Sequence, residues 1–184
     1  MVAIAQPRRW TRDEYYRMAD SGILRPDDRV ELIDGEILTM APQKSPHATA
    51  VRLAEDALRS AFGDGFDIRP QLPLALDETN EPEPDVAVVT GSPRDYTEDH
   101  PSTALLVVEV AETSLGFDRG AKKALYARFG IPEYWIVDLL GVLVEVHRSP
   151  QGADYAERRV LSDADSIAPL GRPESVIAVA DLLP

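Results

Sequence analysis

Apolar residues at Val51, Ala54, Leu58 and Ala61 or Phe62 recur at helical spacing. They predict a helix from His47 to Phe62, ended by the glycines of "GDG". A second helix is expected from Thr11 to about Gly22, because "TRDE" at 11–14 has the Thr-x-x-Glu form of a capping box. A third is expected over 118–129, stopped by Gly130 and Pro132. Between these helices the pattern is that of strands. "RVELIDGEILTM" reads as a hairpin turning at Asp34-Gly35. "FDIRPQLPLAL" is strand-like, but its prolines suit an edge or an interrupted strand. "DVAVVT" at 85–90 and "TALLVVEVA" at 103–111 are stronger strands, separated by a polar loop. "EYWIVDL" and "VLVEVHR" form a second hairpin around Leu140-Gly141, with Trp135 and Ile136 in the core, and "SVIAVA" offers one more strand in the tail. This order predicts a mixed sheet with helices on its faces, α/β or α+β, without the regular alternation of a doubly wound nucleotide-binding fold.

The 184 residues suit one domain spanning 1–184. Within it, residues 1–45 hold the first helix and hairpin, 46–148 a core, and 149–184 a C-terminal extension. The absence of cysteine excludes disulfides, thiol catalysis and cysteine-ligated zinc. No apolar run reaches the roughly 18–20 residues of a membrane span, and "MVAIAQPRRW" lacks the order of a signal peptide. A soluble cytoplasmic protein is therefore expected. The net charge of −13 opposes strong non-specific affinity for nucleic acid, although a divalent-cation site with a local basic patch would still admit phosphates.

Candidate chemistry begins at Glu109. It lies in "ALLVVEVA", where apolar residues on both faces of a strand imply burial. A carboxylate there requires a partner or a raised pKa. It is either salt-bridged to an arginine or reaching water at a strand end, or it is a metal ligand. Pro84 cannot donate to a ladder and fits the start of a strand, which places Asp85 at the strand's mouth. Carboxylates on neighbouring strands directed to one side would repel unless a cation sat between them, and Mg²⁺ or Mn²⁺ suits oxygen donors. Asp118 and Lys122 stand at i and i+4 of the third helix, either as a solvated pair or with Lys122 turned inward beside Leu125, Tyr126 and Phe129. Glu81 and Glu83 read as solvated loop acids. The histidines His47, His100 and His147 show no ligand spacing, and no phosphate loop, Gly-x-Gly-x-x-Gly or Gly-x-Ser-x-Gly is present. Arg8-Arg9, Arg52, Arg59, Arg128 and Arg158-Arg159 are the basic residues considered for phosphates, with no clustered aromatic–basic pattern for stacking bases.

The run "VVEVAETSLGFDRGAKKALYARFGIPEYWIVD", preceded by "PEPDVAVV" and "RVELIDGEILTMAPQKSPHA", resembles the Uma-two family of endonuclease-like proteins. That family belongs to the PD-(D/E)xK restriction-endonuclease-like superfamily, and the resemblance extends from about Arg29 through "VIAVADLLP". It implies a restriction-endonuclease-like core. It also assigns Pro84-Asp85 to the superfamily's Pro-Asp and Glu109 to its acidic position, both as metal ligands. The superfamily's usual lysine falls two residues after that acid, where this chain has Ala111; Lys122, on the following helix, is the position that matches. Glu31 matches a further acidic position, for a second metal or a metal-bound water, and Glu36 is the poorer candidate. His47 also matches a family position, although a helix-start histidine bonded to backbone accounts for it as well. Asp118 is a supporting candidate.

The resemblance implies divalent-metal-dependent hydrolysis of phosphodiester bonds, with DNA the expected substrate and a bacterial, cytoplasmic setting. Lys122, surrounded by carboxylates that favour its ammonium form, is expected to stabilise charge on phosphorus rather than to act as a general base. A nuclease-fold domain with little activity, serving nucleic-acid or protein binding, is the alternative, and a small phosphate ester is a further substrate class. A homodimer is compatible with cutting both strands, without a coiled-coil signal to support it.

Overall fold

The computed structural model describes residues 6–184. Its centre is a six-stranded mixed sheet in the order β3-β4-β5-β6-β7-β8. These strands are β3 (Phe66–Pro70), β4 (Val86–Thr90), β5 (Leu106–Ala111), β6 (Glu133–Asp138), β7 (Leu143–Gln151) and β8 (Asp154–Ser162). Every neighbouring pair is antiparallel except β5 and β6. A parallel pair requires a crossover, and the helices between Leu115 and Arg128 supply it.

The two sheet faces are covered differently. On one lies α2 (Ser45–Phe62), whose Ala50, Val51, Ala54, Leu58 and Phe62 meet Val86, Val88, Val108 and Trp135. On the other, Leu125 and Tyr126 pack with Ala87, Val107, Tyr134 and Ile136. The central strands β4, β5 and β6 are buried on both faces, so their sequences run almost continuously apolar.

The crossover departs from the expected helix over 118–129. It begins earlier, as α3 (Leu115–Phe117), passes through a π-helical segment at Asp118–Lys122, and continues as α4 (Lys123–Arg128). The wider turn leaves both Asp118 and Lys122 buried. It also sends Arg119 to Glu145 of β7, to which the Arg119 Nε donates at 2.7 Å. A π segment amid α-helix costs backbone geometry and recurs at functional sites.

The first hairpin, β1 (Val30–Ile33) and β2 (Glu36–Thr39), forms its own two-stranded sheet outside the central one. Asp34 and Gly35 both have positive φ, 49° and 72°, as the expected two-residue turn demands. A bridge between Leu32 and Glu81 ties the hairpin to the loop before β4. Glu81 corrects the reading of a solvated acid. It is buried and accepts from Arg12 and from the Tyr16 hydroxyl, both on α1 (Arg12–Asp20), so it anchors the N-terminal helix.

β3 is the edge strand that its prolines suggested, and it stops at Pro70 before the positive φ of Gln71. The sequence reading missed β8. Its pattern is mostly exposed because it closes the other edge, and the charges Glu157, Arg158 and Arg159 hid the period. "SVIAVA" supplies only the two-residue β10 (Ile177–Ala178), paired with β9 (Ser166–Ile167), and a 3₁₀ turn whose Val179 and Leu182 enter the core.

The tail is fixed to the sheet through Glu133, a fully buried acid. It accepts from Trp135 Nε1 at 2.9 Å, Arg148 Nε at 2.8 Å and the Leu170 amide at 2.7 Å. Replacing it with Ala strands Arg148 and the Leu170 amide. Glu133→Ala is expected to lower unfolding free energy by about 3 kcal/mol in urea denaturation, and a loss below about 1 kcal/mol contradicts the anchor.

Candidate active site

The β4–β5 register sets Val86 opposite Val108 and Ala87 opposite Val107. One step beyond that ladder, Asp85 comes opposite Glu109. By the two-residue alternation, both side chains leave the sheet on the face of Ala87 and Val107. The two acids are joined through the backbone. The Asp85 amide donates to Glu109 Oε2 at 3.3 Å, and the Val110 amide donates to Asp85 Oδ2 at 2.8 Å. Gln71 Nε2 donates to Asp85 Oδ1 at 3.3 Å.

The π-helical segment brings Lys122 down onto these acids. Its Nζ donates to Glu31 Oε2 at 2.6 Å and to Glu109 Oε1 at 3.1 Å. Tyr126, one turn on, donates its hydroxyl to the same Glu109 oxygen at 2.7 Å. Glu31 arrives from β1 and also accepts from the Glu83 amide at 3.2 Å. Asp118 is buried beside them and accepts from the Ser114 hydroxyl at 2.6 Å. From the opposite layer, the first turn of α2 places His47 Nε2 3.3 Å from Asp85 Oδ2. His47 Nδ1 is buried without a partner among the described residues. The structure therefore brings together all six sequence-chosen residues: Glu31, His47, Asp85, Glu109, Asp118 and Lys122 line one cavity of about 510 Å³. Glu36 stays outside it, on an exposed ion pair with Arg9.

The electrostatics follow from burial and a shortage of cations. Burial is the largest influence on Glu109; Asp85, Asp118 and Glu31 add to it, Lys122 opposes, and the carboxyl is pushed up to about 8. Burial likewise pushes Asp118 up to about 6, against the Ser114 hydrogen bond and Lys122. For Lys122, burial favours the neutral amine, yet Glu109 and Glu31 outweigh it and raise the pKa, so the ammonium persists. His47 is raised chiefly by its hydrogen bond to Asp85, against its burial.

Several residues here escaped the sequence reading. Arg29 and Lys44 line the cavity, whereas none of the arginines singled out for phosphates does. Arg8, Arg9, Arg59, Arg128 and Arg158 are paired instead with Glu14, Glu36, Glu55, Asp34 and Glu145. Glu83 also lines the cavity, and its pKa is raised by burial and by Glu31. Only the tertiary fold reveals these neighbours, because each comes from a loop without periodicity. Among the described residues, no three His, Asp or Glu side chains converge as a group that could hold a metal ion. Nor is any helix there long and apolar enough to cross a membrane.

Comparison with known proteins places the chain in a family. The Uma2 family, described as "Putative restriction endonuclease", matches residues 12–180, and the chain belongs to it. No curated protein matches the chain. Its fold is similar to the crystal structure of a "putative nuclease belonging to DUF820" from Anabaena variabilis. The TM-score is 0.71 at 16% identity, over 94% of this chain and 96% of that one. At that identity the likeness establishes the fold.

The raised Glu109 carboxyl has a measurable consequence. Its folded pKa lies above the unfolded value, so native protein binds the extra proton, and stability is lost as pH rises from about 4.5 through about 8. In chelator, the urea-unfolding free energy is expected to fall across that window, and Glu109→Gln to flatten the fall. An unchanged slope in Glu109→Gln rules out Glu109 as its source.

Proposed function

We propose that this protein is a divalent-metal-dependent endonuclease that hydrolyses phosphodiester bonds, with DNA as the substrate. The observation that carries the reading is the opposition of Asp85 and Glu109 on one face of adjacent strands, with Lys122 between Glu109 and Glu31. Membership of the Uma2 family supports it.

The donor set fits a hard cation. Asp85, Glu109 and Glu31 offer only carboxylate oxygens, which Mg²⁺ and Mn²⁺ favour, and burial, with the neighbouring acids adding to it, is what raises the Glu109 carboxyl. Asp85 and Glu109 would hold the ion, with Glu31 as the further ligand released from Lys122. Such an ion, when bound, supplies Lewis acidity, neutralising phosphate charge and acidifying water.

The remaining work falls to the chain's own groups. Lys122, kept as an ammonium, offers its charge to the phosphoryl oxygens as negative charge builds on them. A base role would require the neutral amine, which Glu31 and Glu109 disfavour. Tyr126 and the Asp85 amide orient Glu109 from two sides. His47 holds Asp85 from a third direction and is a positioning residue in this reading. Asp118 sets the negative field around Lys122.

The deciding assay incubates labelled single- and double-stranded DNA, and RNA in parallel, with Mg²⁺ or Mn²⁺. Wild-type cleavage is expected to vanish with chelator, and Asp85→Ala and Lys122→Ala each to reduce it by about 100-fold or more while circular dichroism shows folded protein. Cleavage that survives both substitutions refutes the site. Mn²⁺ binding by calorimetry without any cleavage supports instead a nuclease-fold binding domain.

A further inference from the structure

The catalytic candidates lie at the floor of the cavity, while its mouth carries a different pair of charges. Lys44 stands at the end of the loop after β2, immediately before α2, and Glu112 directly follows β5. Both line the cavity, and the Lys44 Nζ donates to Glu112 Oε1 at 3.0 Å. The bond joins two walls that are otherwise separate stretches of chain, 68 residues apart. Lys44 is 67% exposed, so the bridge is of the weak, solvent-screened kind. Arg29 is exposed on the same lining and makes no ion pair among the described residues.

Charge explains why these two cations matter to a phosphate. Six acids line the cavity, Glu31, Glu83, Asp85, Glu109, Glu112 and Asp118, against Arg29, Lys44 and Lys122. Lys122 is committed to Glu31 and Glu109 at the floor. At the mouth, an approaching polyanion therefore meets attraction first from Arg29 and Lys44. Of the two, Lys44 is already holding a carboxylate, an anion of the same charge sign and oxygen chemistry as a phosphate. Its backbone is fixed by α2, which also carries His47, and Glu112 lies three residues beyond Glu109. The exchange of Lys44 from Glu112 to a phosphate would thus occur at a fixed offset from the candidate catalytic groups.

Resting on the nuclease reading above, we propose that Lys44, aided by Arg29, binds a backbone phosphate of the nucleic-acid strand next to the one cleaved, and that Glu112 occupies Lys44 until that phosphate arrives. Glu112 is thereby a competitor of substrate. This makes the two members of one ion pair act in opposite directions, which a merely structural bridge cannot do.

The test uses the full chain and a fluorescein-labelled single-stranded oligonucleotide, titrated by anisotropy in Ca²⁺ over a range of salt, with KM and kcat for cleavage measured in Mn²⁺. Lys44→Ala is expected to weaken binding about tenfold, with the loss mainly in KM, and to reduce the salt slope by about one. Glu112→Gln, which keeps the shape and removes the competing charge, is expected to bind several-fold more tightly. Lys123→Ala, which breaks an ion pair with Asp154 outside the cavity, serves as the control for a lost surface cation. Thermal melts confirm that each variant is folded. Weaker binding in both Lys44→Ala and Glu112→Gln, no change in either, or a Glu112→Gln protein that gains nothing overturns the proposal. An equal loss in Lys123→Ala also overturns it, since the effect is then one of net charge. Wild-type protein that neither binds nor cleaves the oligonucleotide overturns the nuclease reading together with this one, whereas wild-type activity with normal behaviour of both variants overturns this one alone.

Discussion

The burial of Lys122 is the constraint on which the site depends. A lone ammonium at that depth would be untenable, and it is held charged by Glu31 from the N-terminal hairpin and Glu109 from the central sheet. The same contacts draw three elements together: a hairpin that shares no ladder with the main sheet, strand β5, and the crossover. Breaking any one of them removes a charge partner from a buried group, so the arrangement enforces its own geometry.

The π-helical segment is the local price of that arrangement. Asp118, Arg119 and Lys122 each have a distinct partner: Ser114, Glu145 and the Glu31–Glu109 pair. Glu145 and Glu109 lie on the same sheet face, on β7 and β5, with β6 between them. One short segment thus spans the sheet face with two cations set against two buried acids. An uninterrupted α-helix would distribute these side chains over a narrower turn, and the crossover exchanges helical regularity for that placement.

The acidic excess in the cavity gives the chemistry its direction. Acids outnumber cations at the floor, and burial together with Asp85, Asp118 and Glu31 raises the Glu109 carboxyl. Membership of the Uma2 family agrees with a nuclease-like function. On the nuclease reading proposed above, the overall charge of −13 is no obstacle, because affinity for a phosphate chain depends on a few placed cations rather than on the sum over the surface.

Periodicity and turn chemistry determined most of the elements. The Thr11 capping box, the Asp34-Gly35 turn, the α2 stripe and the doubly buried strands β4, β5 and β6 are consequences of local sequence, because each depends on neighbours within a few residues. The presence of Glu109 amid apolar residues already demanded a partner, and the order of motifs pointed to Asp85 and Lys122. The chain alone did not reveal β8, whose charged edge position masks its period, or the burial of Glu81, whose partners Arg12 and Tyr16 lie more than sixty residues away. It did not disclose Glu83, Arg29 or Lys44 around the cavity, nor the widened turn that seats Lys122. Only the tertiary structure decides such features, because burial and charge pairing depend on distance in space, and residues remote in sequence become neighbours only when the sheet and crossover close around them.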